Sequence, residues 1–247
     1  MNNTDLPQAA SDTAHLMPLA AAYVRGMRPA VPLPDALAQR PFSTLTPSDM
    51  ETIVAAGLAA GVRLHAFKRT MGLPRVSQVL GVVRGIQPAN LLDIGSGRGA
   101  FLWPLLTALP QISVTAVDLL PHRLQTMAAV QRGGIDALTC ARMDVTRLGL
   151  PDASFEVVTM LEVLEHIPQA AQALAEAVRV AARFVILSVP AKADDNPEHI
   201  HLFTQTGLQE MFAAAGMRRL KFSFVPNHML VVAGKSNRTD AQAAPHA

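Results

Sequence analysis

Leu91-Leu92-Asp93-Ile94-Gly95-Ser96-Gly97-Arg98-Gly99-Ala100 is the stretch that decides the fold class. A short apolar strand runs into a glycine-rich turn, and the run Phe101 to Leu109 then carries helical spacing. A turn of this kind, between a first strand and its helix, is where doubly wound sheets bind nucleotides. Glycines alone are weak evidence. The carboxylate of Asp93, two residues before the first glycine, sharpens the reading: it would repel a pyrophosphate lying over the turn and attract a cationic ligand that lacks one. The spacing is G-x-G-x-G, without the third glycine of the dinucleotide pattern. Asp118 closes the second strand, 23 residues after Gly95, where an acid chelates the two hydroxyls of a ribose. The expected ligand is an adenosine-type ribose bearing a positive charge.

Downstream of the turn, strand-like and helical runs alternate. Ile112 to Val117, Ala137-Leu138, Phe155 to Met160 and Phe184 to Val189 read as strands, with helices over Pro121 to Arg132 and after Pro168. Such alternation specifies a mainly parallel sheet covered on both faces. A last helix closes at Gly216, and the runs Arg219 to Phe224 and His228 to Val232, joined through Pro226-Asn227, predict a terminal antiparallel hairpin. Upstream, seven of the 18 prolines fall in the first 47 residues, so residues 1–45 read as an irregular or broken-helical, partly disordered lead-in. Residues 46–88 read as a helical cap, 89–235 as the main domain and 236–247 as a disordered tail.

Composition bounds the answer further. The chain has 247 residues, half of them hydrophobic and 16% charged, which is globular and not disordered. Only 4% are aromatic, which disfavours an all-β sandwich. Cys140 is the single cysteine, so no intrachain disulfide forms. With no signal-peptide pattern at Met1 to Asp5, the reducing cytoplasm is the expected compartment. The apolar run Ile53 to Val62 is too short to span a bilayer, and no membrane partner is expected. A net charge of +2 does not itself argue for a polyanion. Its distribution is more telling: no Asp or Glu occurs between Glu51 and Asp93, while Arg63, Lys68, Arg69, Arg75 and Arg84 do. A basic cap favours an anionic acceptor, with a solvated basic helix face as the plain alternative.

Asp93 to Gly99, Val117-Asp118, Met143-Asp144-Val145 and Leu161-Glu162-Val163-Leu164-Glu165-His166-Ile167-Pro168, taken in that order, resemble the class I S-adenosylmethionine-dependent methyltransferases over roughly residues 85 to 235. The resemblance implies an α/β, doubly wound, mainly parallel seven-stranded Rossmann-like sheet with a C-terminal antiparallel hairpin and a helical N-terminal cap. It implies that Asp93, Gly95, Ser96 and Gly97 line the methionine end of the cofactor and that Asp118, with Leu119, holds the ribose. By the same resemblance Met143, Asp144 and Val145 serve the adenine, and Leu161 and Glu162 lie beside the sulfonium. Asp144 also reads simply as a turn acid after a strand.

Methyl transfer from a sulfonium needs proximity and removal of the acceptor's proton, so a base or a metal suffices. Two groups compete. Glu162, Glu165 and His166 share one face if the helix starts early, and Glu198-His199-Ile200-His201 follows the fifth strand, where alternation points both histidines the same way. Glu165, His166, His199 and His201 are the candidate catalytic residues. The plain reading is that Glu165-His166 begins a helix and Glu162 positions the cofactor. The sharper one is a resemblance to RNA 3′-terminal ribose 2′-O-methyltransferases, which implies a divalent ion on Glu162, Glu165, His166 and His201. That mixed O/N set suits Mn²⁺, Fe²⁺, Co²⁺ or Zn²⁺ better than Mg²⁺. The expected reaction is O-methylation of a small or anionic acceptor. Ribose methylation of RNA and a non-catalytic cofactor-binding scaffold are the alternatives, and the oligomeric state is left open. His65 and His122 read as surface residues, His228 as a strand residue near the site, Cys140 as a core thiol, and Trp103 as a helix-core residue.

Overall fold

The computed structural model describes residues 16–67 and 72–235. Its sheet has seven strands in the order β3-β2-β1-β4-β5-β7-β6. The expected hairpin supplies the last two positions. By contact the chain divides into two units, residues 1–89 with 95–142 and residues 90–94 with 143–247.

The first unit holds α1 (Met17–Gly26), α2 (Asp35–Gln39), α3 (Pro47–Ala59), α4 (Pro74–Ile86), α5 (Leu102–Ala108), β2 (Ser113–Asp118), α6 (Pro121–Arg132) and β3 (Leu138–Arg142). β2 and β3 run parallel, with Val114 opposite Leu138 and Asp118 opposite Arg142. α1 packs on α6 and α3, and the fit is tight enough that a Cβ on Gly26 would land 1.8 Å from the Ala129 carbonyl oxygen. Within the lead-in expected to be irregular or broken-helical, residues 17–26 form a buried helix, followed by the short helix over residues 35–39 and a 3-10 turn over residues 42–44. Alanines and a proline in the first turn of α1 let it form, and packing on α6 supplies what its sequence lacks. The proline-rich segment after it is tied down by Arg25, which donates to the carbonyls of Ala38 (3.1 Å) and Arg40 (2.6 Å), and by an Arg40–Asp49 ion pair. Thr46 caps α3 in a reciprocal box with Asp49. Phe67 lies between the rings of Tyr23 and Trp103, 5.3 Å from each.

The second unit holds β1 (Asn90–Ile94), β4 (Phe155–Leu161), α7 (Ala170–Val180), β5 (Ala181–Pro190), α8 (Gln205–Ala214), β6 (Arg219–Val225) and β7 (His228–Gly234). β1, β4 and β5 are parallel, Leu91 facing Val157 and Val157 facing Phe184. β7 runs antiparallel to both β5 and β6. Leu91 to Ile94 are all buried, the mark of a strand covered on both faces. Arg179 on α7 gathers the preceding loop: it donates to the carbonyls of Leu148 and Leu150 and pairs with Asp152 and Glu176. Those guanidinium bonds hold the Glu176 carboxyl below the usual carboxylate range. Residues 1–15, 68–71 and 236–247 lie outside the described set, and with them the expectations for the N-terminal tail, Lys68, Arg69 and the C-terminal tail.

Candidate active site

In the first unit the glycine turn is built from main-chain bonds. The N–H of Gly95 donates to Val117 O at 2.8 Å and that of Gly99 to Ser96 O at 2.9 Å. Asp118 completes the turn: Oδ2 accepts from Gly97 N and Oδ1 from Leu120 N, both at 2.9 Å. Two amides thus fix the carboxylate's orientation, and each oxygen keeps a second lone pair for a further hydrogen bond. Gly97 sits at φ +60, and a Cβ there would also meet Arg123 Nη1 at 2.8 Å, so backbone conformation and close approach both call for glycine. Leu119 is half exposed beside this acid. A cavity of about 350 Å³ adjoins the turn, lined by His65, Ala66, Gly97, Arg98, Trp103, His122, Arg123 and Thr126. His65 and His122 are therefore pocket residues as well as surface ones. Cys140 on β3 is half-buried and not a core thiol; its sulfur lies 3.6 Å from Gln131 Oε1, and burial pushes its pKa up.

In the second unit, Asp93 is buried at the end of β1, and its Oδ1 accepts from Thr159 Oγ1 of β4 at 2.7 Å. Met143-Asp144-Val145 leads into a 3-10 turn over Val145–Arg147. Asp144 caps it, accepting from the Thr146 hydroxyl (2.7 Å) and amide (2.8 Å), bonds that hold its carboxyl below the usual range. This is the turn-acid arrangement. Leu161 ends β4, and Glu162 follows in the left-handed region at φ 56.

The acid/histidine corner differs from the expected helical face. Residues Leu164–His166 form a 3-10 turn and α7 begins only at Ala170, so Glu162, Glu165 and His166 do not share a helix face. What the structure brings together is Glu165, His166 and His199, whose ligand-type atoms all lie within 4.8 Å of one another. The segment after β5 returns along this turn, with the amides of Ile200 and His201 donating to Glu165 O. Both histidines of that segment face the turn, as alternation predicts, but they meet different partners. His199 Nδ1 is 2.8 Å from Asp194 Oδ1 and its ring packs edge-on against His166 at 4.8 Å. His201 Nε2 is 3.0 Å from Ile167 O. His166 Nδ1 is 2.9 Å from Glu198 O. The expected ligand set of Glu162, Glu165, His166 and His201 is thus corrected: Glu162 and His201 are engaged elsewhere, and His199 takes the third position. Asp194, Thr159 and Ser188 are residues that the sequence did not single out, since each meets its partner across at least 5 and up to 66 positions of chain and none belongs to a motif; His228, expected on a strand near the site, opens β7 with its Nε2 3.1 Å from Glu162 Oε2.

Residues 92–186 match a family model described as a methyltransferase domain. The chain is 33% identical over 124 residues to a malonyl-[acyl-carrier protein] O-methyltransferase from Geobacter sulfurreducens, covering 50% of this chain and 46% of that one. It is also 33% identical over 111 residues to a demethylmenaquinone methyltransferase from Deinococcus radiodurans, covering 43% and 45%. The match therefore spans about half the length of these curated relatives. The fold is shared with the magnesium protoporphyrin IX methyltransferase of Synechocystis PCC 6803 with bound S-adenosylhomocysteine, at a TM-score of 0.52 and 17% identity over 66% of this chain and 82% of that one.

Proposed function

We propose, with residues 92–186 as a methyltransferase domain of class I architecture, that this chain transfers the methyl group of S-adenosylmethionine to an oxygen nucleophile on a small or anionic acceptor. The observation that carries the reading is Asp118, an acid fixed by two main-chain amides at the end of β2 beside the glycine turn. In this reading Asp118 and Leu119 hold the ribose, Asp93, Gly95, Ser96 and Gly97 serve the methionine end, Met143, Asp144 and Val145 the adenine, and Leu161 and Glu162 the sulfonium. The donor is already activated, so the protein has to align the acceptor and remove its proton. His199 is suited to the second task. The Asp194 carboxylate at its Nδ1 favours the tautomer that offers Nε2 as the proton acceptor. His166, with Nδ1 against the Glu198 carbonyl, is the neighbouring candidate.

An anionic acceptor is supported by the basic lining of the cavity beside Gly97, where His65, Arg98, His122 and Arg123 converge. A small acceptor group is supported by the names of the two relatives, a malonyl-[acyl-carrier protein] O-methyltransferase and a demethylmenaquinone methyltransferase. The test is S-adenosylhomocysteine release from S-adenosylmethionine across a panel of carboxylate, phenol and RNA acceptors. Turnover expected with a carboxylate or phenol carries the reading; steep loss of activity with salt on RNA alone shifts the acceptor to RNA. Cofactor binding without turnover on any class returns the chain to a scaffold role.

A second reading rests on the clustering of Glu165, His166 and His199. One oxygen and two nitrogens, each imidazole oriented through its Nδ1 by an acceptor, form a set that fits Mn²⁺, Fe²⁺, Co²⁺ or Zn²⁺. Such an ion supplies Lewis acidity that lowers the pKa of an acceptor hydroxyl. Activity that falls with a chelator and returns with Mn²⁺ supports it; indifference to both leaves His199 as the base. The expected cellular setting is cytoplasmic, and among the described residues no helix is long and apolar enough to cross a membrane.

A further inference from the structure

One carboxylate ties three strands of the second unit together. Leu161 at the end of β4 faces Ser188 of β5 in register, and Glu162 is one residue beyond. Its N–H donates to Ser188 O at 3.0 Å. Its Oε1 accepts from Ser188 Oγ at 2.6 Å, and its Oε2 lies 3.1 Å from His228 Nε2. His228 opens β7, opposite Pro190 of β5, and its Nδ1 is 2.9 Å from Pro226 O. Ser188 is fully buried, while Glu162 and His228 are each about one-fifth exposed. A non-glycine residue at φ 56 is strained. Glu162 keeps that conformation because its amide and both carboxylate oxygens are fixed from β5 and β7.

Both ring nitrogens of His228 are engaged by oxygens of Pro226 and Glu162, so the ring acts as a holder. Glu162 in turn is presented with both oxygens oriented and still partly open to solvent. We infer that His228 is a positioning residue of the transferase site: from the terminal hairpin it holds Glu162, and with it the turn after β4, in the geometry that meets the sulfonium end of the cofactor. This rests on the proposed cofactor reading. A carboxylate held rigidly in that place attracts a cation without having to reorganise on binding. A hairpin serving only as a sheet edge would have no need of a hydrogen bond from its first residue to the residue after β4.

The experiment is calorimetric titration of S-adenosylhomocysteine into the wild type, His228→Ala, His228→Gln and the pair Glu162→Ala and Glu162→Ala/His228→Ala, with melting temperatures of each without ligand. His228→Ala is expected to weaken binding about tenfold. His228→Gln, whose amide nitrogen replaces Nε2, is expected to stay within about threefold of wild type, and the histidine change to matter less than twofold once Glu162 is removed. If His228→Ala does not fold, His228→Asn, polar but too short to reach Glu162, takes its place. Affinity in His228→Ala within twofold of wild type, with only the melting temperature lowered, overturns the inference and makes the contact a staple of the hairpin. A tenfold loss that persists without Glu162 overturns it too. A wild type that binds no S-adenosylhomocysteine overturns the cofactor reading itself.

Discussion

Two groups of candidate residues, one in each unit, are held in opposite ways. At the glycine turn, an acid is fixed by main-chain amides of the turn it closes, Gly97 and Leu120. At the corner over residues 162–201, acids and histidines are fixed by side chains and by a returning loop, through Ser188, His228, Asp194 and the amides of Ile200 and His201. In the first region the acid's partners are main-chain amides, which no side-chain substitution short of proline removes. The second depends on elements that reach it from far along the chain.

The sharpest way to break this contrast is Asp118→Ala, which leaves two amides without their acceptor and, on the proposed reading, removes the ribose contacts. S-adenosylhomocysteine affinity is expected to fall by about 3 kcal/mol, more than a hundredfold, by calorimetry. A loss under 1 kcal/mol would mean the turn does not depend on its acid. His199→Ala tests the other region: turnover is expected to drop about a hundredfold, or ~2.7 kcal/mol, with cofactor affinity unchanged. Equal losses in both quantities would merge the two regions into one.

Arg179→Ala extends the contrast away from the site, since Arg179 is a long-range anchor of the loop before β4. Denaturant unfolding should show a loss of about 2 kcal/mol. The Glu176 carboxyl is depressed in the folded state, so its contribution is complete above the ordinary carboxylate pKa of about 4.3 and is lost as pH falls below that through the folded value. The difference between wild type and Arg179→Ala should therefore shrink in acid and hold at neutral pH. The smallest effect is expected at a local cap: Thr46→Ala should cost about 1 kcal/mol on α3, read from the same unfolding curves.

The same division sets what could be read from residues alone. Asp93 to Gly99 is legible because strand and turn lie in one short stretch whose geometry is local, and Asp118 because it closes the next strand at a set distance in sequence. The alternation of strands and helices, and the hairpin through Pro226-Asn227, are legible for the same reason. Helix α1 is hidden among prolines because its burial comes from α6, with Arg132 reaching back 106 residues to the Gly26 carbonyl. Glu165, His166 and His199 were each candidates, but the grouping that excludes Glu162 and His201 depends on a 3-10 turn in place of an α-helix and on the path of the loop after β5. Neither is encoded within a few residues of the side chains concerned.

The strand order carries a consequence for how the protein is made. β7 is synthesised after β6 yet lies between β6 and β5. Until residues 228–234 leave the ribosome, β5 has one row of amides and carbonyls without a partner, along the apolar run Val185-Ile186-Leu187, and β6 has no strand to join. The nascent chain therefore carries an adhesive edge until that segment is made. The same segment that covers this edge also delivers His228 to Glu162, so the covering of the edge and the setting of the turn after β4 come as one event.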